Sequence, residues 1–238
     1  MRRDGRDFNQ IRKIEFKRNF IENAEGSCLI ELGQTRVICT ASVEESVPLF
    51  LRGKAQGWLT AEYGMLPRST QTRISRERVS GRSFEIQRLI GRALRSIIDL
   101  TKLGEITIWI DCDVIQADGG TRTASIMGGF VALIDCLSKL KSSGRIREIP
   151  VYKYLGAISV GMVEGKLLLD LNYLEDSKAE IDMNVVMNSE FEFVEIQGTA
   201  ERGSFSKNIL DGMLDLAKEG IAKIIEEERR IFGDILLI

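Results

Sequence analysis

Glu105-Ile106-Thr107-Ile108-Trp109-Ile110-Asp111-Cys112-Asp113-Val114-Ile115-Gln116-Ala117-Asp118-Gly119-Gly120-Thr121-Arg122-Thr123 holds a strand, a turn and the start of a helix in one run. Over 105–115 the residues alternate. Ile106, Ile108, Ile110, Cys112 and Val114 face one way; Thr107, Trp109, Asp111 and Asp113 face the other. That is the period of a half-buried strand. Two glycines then let the backbone turn sharply and approach a ligand closely. Thr121 and Arg122 follow at the head of an apolar helix expected over 123–141. There, free N–H groups and the positive dipole end favour an anion. Strand, glycine turn, guanidinium and helix start together make a phosphate seat. The plainer alternative is a tight turn with Arg122 paired to a surface acid. No Gly-Lys-Ser/Thr is present, so this is not a Walker loop.

Upstream of this run, 27–32 and 35–43 read as a hairpin turning at Gly33-Gln34, and 57–63 as a further strand. Residues 64–82 are polar, arginine-rich and without period, hence a loop. Ser83 is positioned to cap a helix running to about residue 100, with Ile86, Leu89, Ile90, Ala93, Leu94, Ile97 and Ile98 at helical spacing. Its other face carries Arg88, Arg92 and Arg95, either a subunit contact or plain surface. Downstream, 144–154 is a connector containing Pro150. Strands are expected over 155–163, 166–171, 181–187 and 191–198, and Ser206 caps a final helix over 207–231. The order is strands, helix, strand, helix, then strands, helix. It defines an α+β (α/β) fold in which two related units, roughly 1–143 and 155–238, share one core within a single domain over 1–238.

The chain has 238 residues, 44% hydrophobic and 29% charged, enough for an ample core. Net charge is -2, but residues 1–20 carry seven Arg/Lys against three acids, and 211–238 carry four against seven. A polyanion site is therefore a local patch. The sequence contains no histidine, which excludes His triads, His-ligated zinc and imidazole bases. Cys28, Cys39, Cys112 and Cys136 form no CxxC pair and lie in apolar runs, as buried reduced thiols do in a cytosolic protein. No apolar run precedes the charged start, and no apolar segment reaches the roughly 20 residues of a membrane span. The expectation is a soluble, unsecreted protein.

Two further features carry chemistry. Arg68, Arg73, Arg76, Arg78 and Arg82 share a loop with one acid, Glu77. Such a density of guanidinium repels itself unless something negative is bound, and the fork of Arg suits phosphate oxygens. A nucleic-acid backbone is the sharper reading; a solvated or partner-contacting loop is the other. Asp170, Glu175, Asp176, Glu180 and Asp182 form an acidic cluster in the sequence. Asp176, in a turn, and Asp182, on the next strand opposite Ile181, Met183 and Val185, can point at one spot. A pair of hard oxygen ligands suits Mg²⁺ or Mn²⁺. One carboxyl can instead act as a general acid, or the group can be solvated loop acids. Seat, arginine loop and acid pair fit one reaction. Inorganic phosphate is already anionic near neutral pH and attacks an RNA 3′ end without a histidine to deprotonate it.

The runs Arg3-Asp4-Gly5-Arg6, Met65-Leu66-Pro67-Arg68-Ser69-Thr70, Gly81-Arg82-Ser83-Phe84-Glu85-Ile86-Gln87-Arg88-Leu89-Ile90 and Asp111 through Ala124 make a specific pattern. Leu174-Glu175-Asp176-Ser177, Asp182-Met183-Asn184-Val185-Val186 and Glu195-Ile196-Gln197-Gly198-Thr199-Ala200-Glu201 extend it over nearly the whole chain. In them the chain resembles the ribonuclease PH family, phosphate-dependent 3′-to-5′ exoribonucleases related to polynucleotide phosphorylase and the exosome ring subunits. The resemblance implies a ribonuclease PH fold of two βαβ-type units with left-handed crossovers. It implies phosphate binding by Arg82, Gly120, Thr121 and Arg122, with Asp176 and Asp182 as catalytic and metal-binding carboxylates for Mg²⁺ or Mn²⁺. It assigns Arg68, Arg73 and Arg76 to tRNA contacts. The implied partners are precursor tRNA, other RNA 3′ ends and copies of the chain itself, in a cytoplasmic hexamer built as a trimer of dimers. The implied activity is that of a tRNA nucleotidyltransferase, trimming beyond the CCA end and releasing nucleoside diphosphates, reversibly. Arg202-Gly203-Ser204 departs from the family's usual Gly-led segment. Two other readings stay open: a non-catalytic RNA-binding ring subunit, which need not keep seat and acid pair together, and a metal-dependent hydrolytic nuclease, which needs no phosphate seat.

Overall fold

The computed structural model describes residues 2–76 and 81–236. Strands β1 (Ile14–Arg18), β2 (Gly26–Leu32), β3 (Thr35–Glu44), β4 (Trp58–Met65) and β5 (Thr107–Gln116) form a five-stranded sheet in the order β1-β2-β3-β5-β4. All neighbours are antiparallel except β4 and β5, which run parallel through helix α1 (Gly81–Arg95). Helix α2 (Thr121–Ser142) follows. Strands β6 (Leu155–Val163), β7 (Lys166–Leu169), β8 (Ile181–Asn188) and β9 (Phe193–Ala200) make a second, antiparallel sheet in the order β7-β6-β8-β9. β7 and β8 flank β6 and run the same way, joined through the single helical turn α3 (Tyr173–Asp176). Helix α4 (Lys207–Phe232) closes the chain, its Ser206 cap accepting from the Ile209 N–H.

α2 is the centre of the molecule. Its residues are apolar nearly all round, so no face is left for water and the helix must be buried. It packs on β2, β3 and β5 of the first sheet and on β6 of the second. A Cβ at Gly128 would lie 2.7 Å from Cys39 Sγ, so glycine permits this close helix-to-sheet approach. α2 is also the described helix long and apolar enough to cross a bilayer, yet 89% of its most apolar window is buried inside the protein. α1 covers β4 and touches α2, and α4 covers the far face of the second sheet, with Gly156 and Ile158 against Ile221 and Gly220. All four cysteines are buried and unpaired.

Several boundaries depart from expectation for identifiable reasons. α1 opens at Gly81, so Ser83 lies in its first turn and is not the cap. It ends at Arg95, where the Ser96 hydroxyl donates to the Ala93 carbonyl. Ile97 and Ile98 keep the apolar spacing because they stay buried, but Ile98 bridges Val151 in extended backbone. α2 starts at Thr121, two residues early. β7 stops at Leu169 because Asp170 takes a positive φ of 53°. The turn expected around Asp176 is helical, closed by a capping box between Asn172 and Glu175. β1 lay unread in the basic N-terminal stretch; Ile14 and Phe16 pack against the core. Arg92 and Arg95 are spent within the molecule: Arg92 pairs with Glu195 at 2.8 Å, and Arg95 donates to the Leu59 carbonyl and lies over Trp58.

Candidate active site

The turn after β5 is held open from three sides. Gly119 and Gly120 adopt φ of 75° and 68°, which residues with a Cβ rarely take. A Cβ at Gly119 would also meet the Leu171 carbonyl oxygen at 2.6 Å. Thr35 Oγ1 donates to the Gly119 carbonyl at 2.7 Å and accepts from the Asp118 N–H at 2.9 Å. The first bond of α2 runs from the Ala124 N–H to the Gly120 carbonyl. The N–H groups of Thr121, Arg122 and Thr123 therefore have no partner within the helix, and no side chain caps it. This is the arrangement that receives an anion. Tyr63 Oη and Thr121 Oγ1 lie 3.0 Å apart and fix the threonine.

The acid pair comes from the second sheet. Asp182 is in register with Gly161 and Thr199, and Asn184 with Ser159 and Gln197, so these six share one face. The face is apolar further along, at Ala157 and Val186, and turns polar toward the start of α2. Asp176, the last residue of α3, completes it. Arg82, Gly120, Thr121, Arg122, Ser159, Asp176, Asp182, Asn184, Thr199 and Glu201 thus line one cleft of about 310 Å³. Arg122 donates to Glu85 Oε2 at 3.2 Å and to Gln197 Oε1 at 3.3 Å, while Gln197 Nε2 donates to Glu85 Oε1 at 3.1 Å. That closed triangle ties α1, α2 and β9 together and orients the guanidinium beside the cleft. Arg122 thus both pairs with a surface acid and lines the cleft.

The electrostatics are uneven. Burial pushes the Asp182 carboxyl up to about 6, helped by the negative charges of Asp176 and Glu201 and opposed by Arg122. Its Oδ1 is buried without a hydrogen-bond partner. Burial also raises Asp176, against the pull of Arg82 and Arg122. Both carboxyls therefore resist ionising until positive charge arrives.

The rest of the expected acidic cluster belongs elsewhere. Asp170 and Glu175 face the N-terminal arginines, and Glu180 accepts from the Gly165 N–H. Among the described residues no group of three or more His, Cys, Asp or Glu is placed to hold a metal. Arg68, Arg73 and Arg76 are exposed on the segment after β4 and do not line the cleft. Arg78 lies outside the described residues. The base of that segment is stitched beside the glycine turn, through the Ala117 N–H to the Ser69 carbonyl at 2.8 Å. Both follow the carboxyl ends of the parallel pair β4 and β5, where open α/β sheets bind ligands. Ser159, Asn184, Thr199 and Glu201 entered the cleft without being expected there. Strand alternation from Asp182 would have found Asn184; the others needed the cross-strand register.

An uncapped helix start facing a pair of carboxyls raised by burial is the geometry that phosphoryl- or nucleotidyl-transfer chemistry uses. The family models for the 3′ exoribonuclease family match here, domain 1 over residues 10–138 and domain 2 over 153–220. The chain belongs to the 3′ exoribonuclease family. It is 56% identical over 241 residues to a protein of Bacillus pumilus named Ribonuclease PH, covering 99% of this chain and 100% of that one. To the Ribonuclease PH of Bacillus velezensis it is 58% identical, over 99% and 98% of the two chains. In fold it is similar to a chain of the Archaeoglobus fulgidus exosome solved with RNA bound to the active site. That match has a TM-score of 0.82 and 23% identity, over 95% of this chain and 92% of that one. The activity these findings support is phosphorolytic 3′-to-5′ exoribonuclease, with phosphate as substrate.

Proposed function

We propose that inorganic phosphate sits between Arg82, the Gly120–Thr121 turn and Arg122, and attacks the last phosphodiester of an RNA strand whose 3′ end reaches Asp176 and Asp182. A phosphate oxygen forms a bond to the terminal nucleotide's phosphorus. The bond from that phosphorus to the preceding 3′-oxygen breaks, and the departing oxygen takes up a proton. The terminal residue leaves as a nucleoside diphosphate, and the shortened strand keeps a free 3′-hydroxyl. The reverse reaction adds a residue and releases phosphate. The observation that carries this reading is the single cleft shared by two arginines, a helix start and two carboxylates, in a protein without histidine.

The orphaned Oδ1 of Asp182 and the raised carboxyls of Asp176 and Asp182 fit a hard divalent cation. Two carboxylates, with water and substrate phosphate oxygens, are the set that Mg²⁺ and Mn²⁺ commonly accept. When bound, such a cation neutralises charge developing on the phosphorus and the leaving oxygen. Asp176 and Asp182 would hold it. Arg68, Arg73 and Arg76 draw the backbone of precursor tRNA toward the cleft. A ring of six copies, assembled as a trimer of dimers, presents these surfaces to RNA. The reduced cysteines support a cytoplasmic setting.

Precursor tRNA carrying a 3′ extension, incubated with Mg²⁺ and a phosphate titration, tests the reading. The expected products are nucleoside diphosphates, at a rate that saturates with phosphate. Nucleoside monophosphates, or turnover indifferent to phosphate, would overturn it in favour of hydrolysis.

A further inference from the structure

The N-terminal segment is joined to the cleft by an unusual concentration of buried charge. Arg12, 6% exposed, grips Asp170 through Nε at 2.9 Å, Nη2 at 2.7 Å and its own backbone N–H at 2.7 Å. The other side of the same guanidinium donates to the Asp118 carbonyl at 2.6 Å and the Gly119 carbonyl at 3.4 Å. One side chain thus clamps the phosphate turn to the start of the segment that carries Asp176. Arg2 grips the far end of that segment. Its Nε donates to Glu175 Oε1 at 2.7 Å, its Nη2 pairs with Glu175 Oε2, and its Nη1 donates to the Leu169 carbonyl at 2.6 Å. Arg2 and Arg6 both donate to the Asp170 carbonyl, at 2.8 and 3.0 Å. Between the clamps, the Tyr173 N–H donates to Asp118 Oδ1 at 3.3 Å.

Fold stability alone is a poor account of this network. Buried ion pairs give back in attraction what they lose in desolvation, and apolar replacements often serve as well. What they do supply is a fixed geometry. A planar fork satisfied on both edges permits few displacements. The segment so fixed is short, leaves β7 through a strained positive φ at Asp170, and ends at a cleft carboxylate.

We propose that Arg12 and Arg2 are positioning residues of the reaction site, which set the gap between the phosphate seat and Asp176. The inference rests on the phosphorolytic reading above. Arg12 governs both sides of the gap, because it holds the Asp118–Gly119 carbonyls and Asp170 together. Arg2 governs only the side of α3.

Arg12→Lys, Arg2→Met and, as a control, Arg3→Gln at an exposed position on the same segment make the test. Phosphate and RNA are varied separately in steady-state assays, and phosphate binding is measured by calorimetry on each folded variant. Arg12→Lys is expected to raise KM for phosphate and lower kcat, each by about 10- to 100-fold, because misplacement of about 1 Å near reacting groups costs that much. KM for RNA stays within about twofold, since the exposed arginines that draw the backbone are untouched. Arg2→Met is expected to lower kcat alone, at full phosphate stoichiometry and unchanged phosphate affinity. Arg3→Gln behaves as wild type. Folded variants with wild-type kcat and phosphate KM overturn the proposal. So does a loss of kcat matched by an equal loss of phosphate-binding stoichiometry, which marks only a reduced folded fraction. If Arg12→Lys does not fold, Arg2→Met decides by the same criteria. Wild-type turnover without phosphate dependence would instead overturn the reading beneath, and phosphate-dependent wild type beside unaffected variants would overturn the positioning role alone.

Discussion

Asp182 enters the cleft reluctant to ionise, because its carboxyl is buried, faces Asp176 and has one oxygen without a partner. In the proposed reaction, that cost is recovered when positive charge reaches it. Asp182→Asn keeps the shape and removes that capacity. We expect kcat to fall by about 10³-fold, the scale of losing one charge-stabilising group, with RNA affinity nearly unchanged. Single-turnover rates compared with filter binding check this, and an equal loss of affinity and rate would contradict it. Gly120 is the second residue whose chemistry is fixed by its place. At φ 68° a side chain is strained, and a Cβ would lie 2.9 Å from Arg12 Nη2. Gly120→Ala is therefore expected to destabilise the fold by about 1 kcal/mol or more and to raise KM for phosphate. Urea denaturation and phosphate-varied kinetics measure the two effects separately.

At the scale of elements, the arginine-rich segment after β4 contributes charge without lining the cleft. Replacing Arg68, Arg73 and Arg76 together by Gln should make the salt dependence of tRNA affinity shallower by up to about three ion equivalents. Phosphate KM should not change. A salt slope identical to wild type would remove these residues from RNA binding. The cap of α4 is a simpler case: Ser206→Ala should cost about 1 kcal/mol in chemical denaturation, since the Ile209 N–H loses its acceptor. The elements that could be read from residues alone were those with a clean period. β5 alternates, α2 is apolar throughout, and both were legible to within two residues. β1 was not, because its five residues carry three charges and its apolar pair is too short to set a period. The end of α1 was misplaced because Ile97, in the turn that ends the helix, and Ile98, in extended backbone, serve the same core that they would have served in a helix. The glycine turn and helix start were legible because their residues are contiguous. Ser159, Thr199 and Glu201 were not, because they meet Asp182 only through pairing between strands distant in sequence.

For the whole molecule, the two sheets depend on α2 and α4 to bury their faces, and α4 buries one group that belongs in water. Glu228 is fully buried, and neither carboxyl oxygen makes a hydrogen bond of good geometry. Burial pushes its carboxyl well above the ordinary 4.5, and the Leu155 backbone N–H compensates only in part. The folded state therefore holds a proton that the unfolded chain releases near 4.5. Below that pH both states are protonated and Glu228 imposes no pH-linked cost. As pH rises from there toward the elevated folded value, the unfolded state is favoured increasingly and stability falls. This is opposite in sign to Asp170, whose burial is outweighed by Arg12 and Arg6 so that its carboxyl is lowered. Asp170 contributes stability above its ordinary value that is lost as the solution is acidified. Between pH 5 and 8, where ordinary carboxylates are already ionised in both states, Glu228 adds slope of the same sign as Asp182, whose carboxyl is pushed up to about 6. Glu228→Gln keeps the size and the neutral charge. It should flatten the pH dependence of the unfolding free energy over about pH 5 to 8 and raise stability at the alkaline end. Denaturant unfolding of both proteins across that range measures it. A wild-type stability that does not decline with pH, or a decline that persists unchanged in Glu228→Gln, would show that the buried carboxyl is not the group responsible.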